Sequence, residues 1–302
     1  MDSVSSVTQG RPTVAESMSM TQILSIQSAV AYGFAGNSAA IFPLRRLGVD
    51  AWPVLTVNFS NHTGYGAWRG PHIAASDVWQ VVQGVDDRGV LAECDAVLSG
   101  YLGAADIGQV VLDAVDLTRS RNPKAVYCAD PVMGDVGRGF YVGEGIPEFM
   151  REHQVPRATI MTPNLFELEF LTGRTTNSLQ DVIEAAQELR SKGPSTVLVT
   201  SVAVPGHDAN TVRMLALDGA GCFLVETPLI DRSFTGTGDL TTAVFLAHWL
   251  RGEPLQDVLS ATASVVYSVL DVTNQLGRYE LALVQAQDDI VTPRHTFQAV
   301  PV

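Results

Sequence analysis

CDAVLSGYLGAADIGQVVLDAVDLTRSRNPKAVYCADPVMG, residues 94–134, is the stretch on which the fold turns. Residues 94–103 form an apolar run of strand length that ends in a loop. Residues 104–120 place Ile107, Val110, Val111, Ala114 and Val115 on one face of an amphipathic helix, and residues 124–134 are again a strand followed by a Pro/Gly loop. A strand, a helix of strand-covering length and a second strand form a βαβ unit, which belongs to a mostly parallel sheet.

The same alternation extends in both directions. Strands are expected at 23–26, 51–59, 158–164 and 195–201, and helices at 76–87, 145–154, 164–173, 179–193, 238–252, 254–270 and, at the end, 279–289. Residues 36–48 also read as a helix stopped at Gly48, with Pro43 predicting a kink or an early turn. Residues 211–227 read as a hairpin turning at Asp218-Gly219. No Pro- or Ser-rich linker divides the chain after residue 20. The expectation is a flexible tail over 1–20 and one α/β domain over 21–302, its sheet covered by helices on both faces and carrying a small β hairpin.

Composition narrows the function. The 302 residues include 19 Lys+Arg against 32 Asp+Glu, a net charge of −13, and the two lysines are Lys124 and Lys192. That balance argues against nucleic-acid binding, which relies on clustered cations. If the protein handles phosphate, backbone amides, a metal and a few arginines must balance the charge. Hydrophobic residues make up 46%, enough for a large core and incompatible with disorder over the bulk of the chain. No apolar run reaches the roughly 18 residues of a membrane helix, and residues 1–20 lack a signal-peptide pattern. Cys94, Cys128 and Cys222 have no metal-ligand spacing and read as reduced core thiols of a cytoplasmic protein.

Ligands of open α/β sheets sit beyond the carboxyl ends of the strands, so the loops there are the places to search. Thr235-Gly236-Thr237-Gly238-Asp239 opens an apolar helix. Two glycines and a helix start turn amide N–H groups toward an anion without any lysine, although Asp239 also suits a simple capped turn. Thr162-Pro163-Asn164-Leu165-Phe166-Glu167 follows a strand, and its Asn-x-x-Glu spacing is that of a capping box. Beside an anion hole, the same carboxylate could hold Mg2+ through water. Asp130-Pro131-Val132-Met133-Gly134 leads into a glycine-rich loop with the character of a lid. Asn58 to Gly66 interleaves hydrogen-bonding and aromatic residues, as suits a flat heteroaromatic ligand, with Ser28 just past the first strand as its neighbour.

Taken together, residues 23–40 (ILSIQSAVAYGFAGNSAA), 59–66 (FSNHTGYG), 98–103 (LSGYLG), 130–134 (DPVMG), 162–167 (TPNLFE) and 236–239 (GTGD) resemble the pyridoxal kinase family of the ribokinase-like superfamily, from about residue 21 to the end. The resemblance implies ATP-dependent phosphorylation of the 5′-hydroxymethyl group of pyridoxal. Asp239 would be the catalytic base, with Gly236, Thr237 and Gly238 as the anion hole. Ser28, Val57, Thr63, Gly64 and Tyr101 would line the pyridine pocket. Asp130, Thr162 and Glu167 would organise phosphates and Mg2+. Thr200 and Ser201 would contact ATP, and Thr227, Pro228, Leu229 and Ile230 would lie near its adenine and ribose. A monovalent cation such as K+ and a homodimer are further implied. Many bacterial members carry a lysine where Thr200 stands. Competing readings are a hydroxymethylpyrimidine or other small-alcohol kinase of the superfamily, and a non-catalytic vitamin B6-binding protein, which would be expected to lose the base or the anion hole.

Overall fold

In a computed structural model, which describes residues 20–302, strands and helices alternate as the hydrophobic pattern dictates. The strands are β1 (Gln22–Val30), β2 (Asp50–Phe59), β3 (Ala96–Ser99), β4 (Val126–Ala129), β5 (Gly134–Asp135), β6 (Gly139–Phe140), β7 (Ile160–Met161), β8 (Thr196–Val199), β9 (Thr211–Leu217), β10 (Cys222–Pro228) and β11 (Val300–Pro301). The helices are α1 (Asn37–Arg46), α2 (Ala75–Asp86), α3 (Ala105–Arg121), α4 (Ile146–Phe149), α5 (Leu165–Thr172), α6 (Leu179–Ser191), α7 (Thr237–Leu250), α8 (Leu255–Gln275) and α9 (Gln287–Val291). The tail expected over 1–20 lies, but for Met20, outside the described residues.

Nine strands form one sheet in the order β11-β10-β9-β8-β7-β4-β3-β1-β2. The six from β8 to β2 run parallel, and β9, β10 and β11 add antiparallel neighbours at one edge. The hairpin read at 211–227 therefore extends the main sheet. The separate two-stranded ribbon is β5–β6, in the loop after Asp130. Helices cover both faces because successive strand residues point to opposite sides. Leu24, Ile26, Val97, Val197 and Val199 pack with α2, α3, α5 and α6, whereas Ile23, Ala96, Leu98 and Leu198 pack with α1, α7 and α8. Among the described residues, no helix is long and apolar enough to cross a membrane.

The local expectations fail in instructive places. The first strand extends past 26 to Val30, so Ser28 lies inside it, at a register shift between Gln27 and Ala29. Such bulges commonly re-aim side chains beside active sites. Helix α1 continues through Pro43, and the Leu47 amide takes the Pro43 carbonyl at 2.9 Å. The closing helix does not span 279–289, because α9 starts only at Gln287. Leu281, Ala282 and Leu283 are all fully buried, which leaves no polar helical face, and the Ala282 amide donates to Thr273 Oγ1 at 2.9 Å. Cys94 and Cys128 are buried as expected, whereas Cys222 is half-exposed; all three are free.

Helix α7 is anchored by Phe245, which has no exposed surface. Phe245→Ala is expected to cost about 3–5 kcal/mol, read as a lower urea midpoint with an unchanged m-value.

Candidate functional site

The carboxyl ends of β1, β3, β4, β7, β8 and β10 all open onto the same edge of the sheet, and every residue singled out above lies there. Strand order reverses at β1, which pairs with β2 on one side and β3 on the other. That is the topological switch point at which such sheets take their ligands.

The first turn of α7 forms the centre. Gly236 has φ +81°, and a Cβ there would overlap the carbonyl oxygen of Phe34. Only glycine lets the helix start descend this far onto the loop after β1. No side chain caps the helix, and the space beside Gly238 is open for 4 Å around a Cβ position. The helix therefore presents its first amides and its positive dipole end to whatever occupies the edge. Asp239 follows in the first turn and is half-buried. Burial pushes its carboxyl up to about 6, opposed by the amides of Gly36 and of Asp239 itself.

Two more carboxylates converge on this point. Asp130, at the end of β4, is buried, and its Oδ2 accepts from Thr242 Oγ1 at 3.3 Å. Thr162, at the end of β7, shares a hydrogen bond with Thr242 Oγ1 at 2.9 Å. Burial, reinforced by the charges of Glu167 and Asp239, holds the Asp130 carboxyl well above the usual range. Glu167 is also buried and raised, chiefly by desolvation.

Asn164 and Glu167 do form the capping box: Glu167 N–H donates to Asn164 Oδ1 and Asn164 N–H to Glu167 Oε2, both at 2.9 Å. The Met133 amide donates to Glu167 Oε1 at 3.0 Å, which ties α5 to the loop after Asp130. The cap and the buried charge are thus the same side chain. No lysine or arginine among the described residues pairs with Asp130, Glu167 or Asp239. Among the described residues, no three His, Cys, Asp or Glu groups form a complete metal cage. Buried oxygen donors with uncompensated charge, too few to enclose an ion, fit Mg2+, which shares its shell with water and phosphate.

Around this centre the other residues divide into two groups. Val57 is buried in a small apolar cluster with Val30, Ala35 and Phe59, against which Tyr101 packs. Ser28 is buried beside Gly36. Thr56 Oγ1 donates to the Tyr101 carbonyl at 2.8 Å and fixes that loop. Thr63 and Gly64 lie in a short 3-10 turn capped by His62, whose Nδ1 accepts from the Gly64 amide at 3.1 Å. These residues frame the β1–β2–β3 side.

On the other side, the Thr200 amide donates to the Pro163 carbonyl at 2.9 Å. Ser201 is exposed and has φ +54°, unique for a non-glycine among the described residues. Such strain clusters at functional positions. Thr227 and Pro228 end β10, followed by Leu229 and Ile230. From β10 to β7 is three strand spacings, about 14 Å. These residues are therefore not gathered with the carboxylates but spread along the edge, over a span suited to an extended ligand.

Thr242, Gly36 and Tyr141 escaped sequence reasoning. Thr242 follows Asp239 by three positions and so shares its helix face, a signal that was available. Tyr141 lies just beyond β6, and its amide donates at 3.0 Å to the carbonyl of Met133, the residue whose own amide holds Glu167, which ties the ribbon loop to the site.

A family model described as phosphomethylpyrimidine kinase matches residues 46–283. A protein of Rubrobacter xylanophilus named pyridoxal kinase PdxY is 53% identical over 272 residues, covering 90% of this chain and 94% of that one. Pyridoxal kinase from Leishmania donovani has been solved in complex with ADP and ginkgotoxin and with ADP and pyridoxine. Each structure is 30% identical, covers 93% of this chain and 99% of its own, and superposes with a TM-score of 0.86.

A carboxyl raised in the folded state favours the protonated form, so its contribution to stability is complete below the unfolded pKa near 4 and is lost as pH rises through about 6. Asp239→Asn is therefore expected to raise the Tm of the unliganded protein at pH 7–8 by roughly 2–4 °C. The gain should vanish below about pH 4, in thermal scans of both proteins across that range.

Proposed function

The chain belongs to the phosphomethylpyrimidine kinase family, within it to the pyridoxal kinases, and from that footing we propose how its residues carry the reaction. It is a pyridoxal kinase, a phosphotransferase that uses ATP to phosphorylate the alcohol of pyridoxal. The observation that carries the assignment of roles is the convergence of Asp239, the uncapped α7 start and the buried Asp130–Thr162–Thr242 group at one point of the sheet edge.

In this reading, Ser28, Thr63, Gly64 and Tyr101 seat the pyridine ring over the Val57 cluster, which brings its 5′-hydroxymethyl group to Asp239. The Asp239 carboxylate accepts the hydroxyl proton as the oxygen attacks the γ-phosphorus, the bond from that phosphorus to the β–γ bridging oxygen breaks, and ADP leaves with the bond's electron pair. A carboxylate base in hydrogen-bond reach contributes about 10²–10⁴-fold. The amides of Gly236, Thr237 and Gly238 receive the negative charge of the migrating phosphoryl group, which positioning and electrostatics alone can stabilise. Asp130, Thr162 and Glu167 would hold Mg2+, Glu167 through water. Mg2+, when bound, neutralises phosphate charge. Thr200 and Ser201 take the phosphates further along the edge, and Thr227, Pro228, Leu229 and Ile230 the ribose and adenine. Glycine-rich residues 134–141 act as a lid that excludes water. For K+ the described residues offer no site that we assign, and no step runs through it.

The same reading makes residues 21–302 one kinase domain, active as a homodimer in the cytoplasm. The free state of all three cysteines supports a reducing compartment. Pyridoxine and pyridoxamine present the same hydroxymethyl group and are proposed as further substrates. Assays with pyridoxal, pyridoxine, pyridoxamine and hydroxymethylpyrimidine side by side test that range. Turnover greatest with hydroxymethylpyrimidine would reverse the pocket assignment.

Asp239→Asn should lower kcat by at least about two decades while pyridoxal still binds by fluorescence titration; near wild-type turnover would refute the role of the base. In the wild type, log kcat/KM for pyridoxal should fall below about pH 6, as the base becomes protonated. Glu167→Gln should shift the Mg2+ titration of activity to higher concentration. An unchanged titration would leave Glu167 only its helix cap.

A further inference from the structure

Residue 280 is a buried glutamate in the turn that follows α8, inside the span 279–289 read from the sequence as a closing helix. Only 9% of its surface is exposed, and no cation pairs with it among the described residues. Two neutral donors meet its carboxylate instead. The Phe34 amide donates to Oε2 at 2.8 Å, and the Tyr65 hydroxyl donates to Oε1 at 2.8 Å. A buried carboxylate is tolerated only with such bonds, and bonds to a charged acceptor are strong and directional.

The segments it joins are the ones that frame the site. Tyr65 ends the 3-10 turn that carries Thr63 and Gly64, and its ring packs against Tyr279 with 5.0 Å between centroids. Phe34 lies in the loop between β1 and α1. Its amide is held by Glu280, while Gly236 sits directly on its carbonyl. Two residues on, the Gly36 amide faces the Asp239 carboxylate. The backbone of Glu280 also bridges that of Thr235, the residue before the Gly-Thr-Gly-Asp turn. The chain makes room for the contact: Gly33 has φ +89°, and a Cβ there would collide with the Glu280 carboxyl group.

We propose that Glu280 is a positioning residue that holds the substrate loop around Thr63 in register with the catalytic turn at Gly236–Asp239. It reaches the first through Tyr65 and the second through Phe34 and Thr235. A glutamate placed only for stability would have no need to join these particular segments. The proposal rests on the pocket reading above, and its test separates the two.

The test uses the full chain as wild type, Glu280→Gln, Tyr65→Phe and the double variant. Glu280→Gln should lower kcat/KM for pyridoxal by about 10–100-fold, mainly through KM, while KM for ATP changes by less than about twofold, the split that loss of a one-sided positioning contact produces. Tyr65→Phe, at an exposed side chain, should move the same parameter in the same direction. The double variant should lose no more than the worse single one, because both changes break one contact.

Hydrogen exchange should quicken in residues 31–36 and in 62–66 together in Glu280→Gln. Unchanged exchange in either segment, additive losses, or equal losses toward pyridoxal and ATP would overturn the proposal. So would looser loops with unaltered pyridoxal kinetics, which would leave the role of Asp239 to be judged by its own assay.

Discussion

Three carboxylates, Asp130, Glu167 and Asp239, meet at one end of a parallel sheet, and no lysine or arginine among the described residues pairs with them. The rest of the site is arranged around that excess of negative charge. Burial raises all three, and the charges of Glu167 and Asp239 raise Asp130 further. What opposes the repulsion is made of neutral groups: the hydroxyls of Thr162 and Thr242, the amides of Met133, Asn164 and Gly36, and the start of α7. A site built this way is poised to receive positive charge together with phosphate, and it accounts for a phosphate-handling enzyme with two lysines in 302 residues.

The two sides of the edge differ in character, which supports the division of labour proposed above. The bulge at Ser28, the buried Val57 and the packed ring of Tyr101 form a shaped apolar floor. The ends of β8 and β10 offer backbone and hydroxyl groups spread over a longer distance. A non-catalytic scaffold would have had no reason to keep an uncapped helix start beside an acidic side chain in its first turn, and the 53% identity to a pyridoxal kinase agrees with that reading. The family model bears the name of the pyrimidine enzymes, whereas the relatives it stands beside are named pyridoxal kinases.

Much of this was legible in the sequence because it depends on local pattern. Period-two and period-3.6 hydrophobicity gave the strands and helices, and loops after strands gave Asp130, Thr162 and Asp239. The capping box at Asn164–Glu167 was legible as well, but whether its glutamate was merely a cap was not, since burial beside Asp130 is a property of the sheet order. Glu280 was out of reach for the same reason. Residues 279–289 carry enough apolar spacing to suggest a helix, and only the packing of Leu281, Ala282 and Leu283 against α8 and α9 shows that no face is left for solvent. Sequence reading failed where a side chain's partner lies hundreds of positions away.

That separation has a consequence for biosynthesis. The bond between Glu280 and the Phe34 amide joins residues 246 positions apart. During translation the segments around Phe34 and Tyr65 emerge long before Glu280 and wait, their loops untied, until residue 280 has left the ribosome. Long-range closures of this kind form late and leave intermediates open to aggregation or chaperone capture. A nascent chain stalled just before residue 280 would carry the loops at Phe34 and Tyr65 and the turn at Gly236–Asp239 and still lack the tie that brings them together.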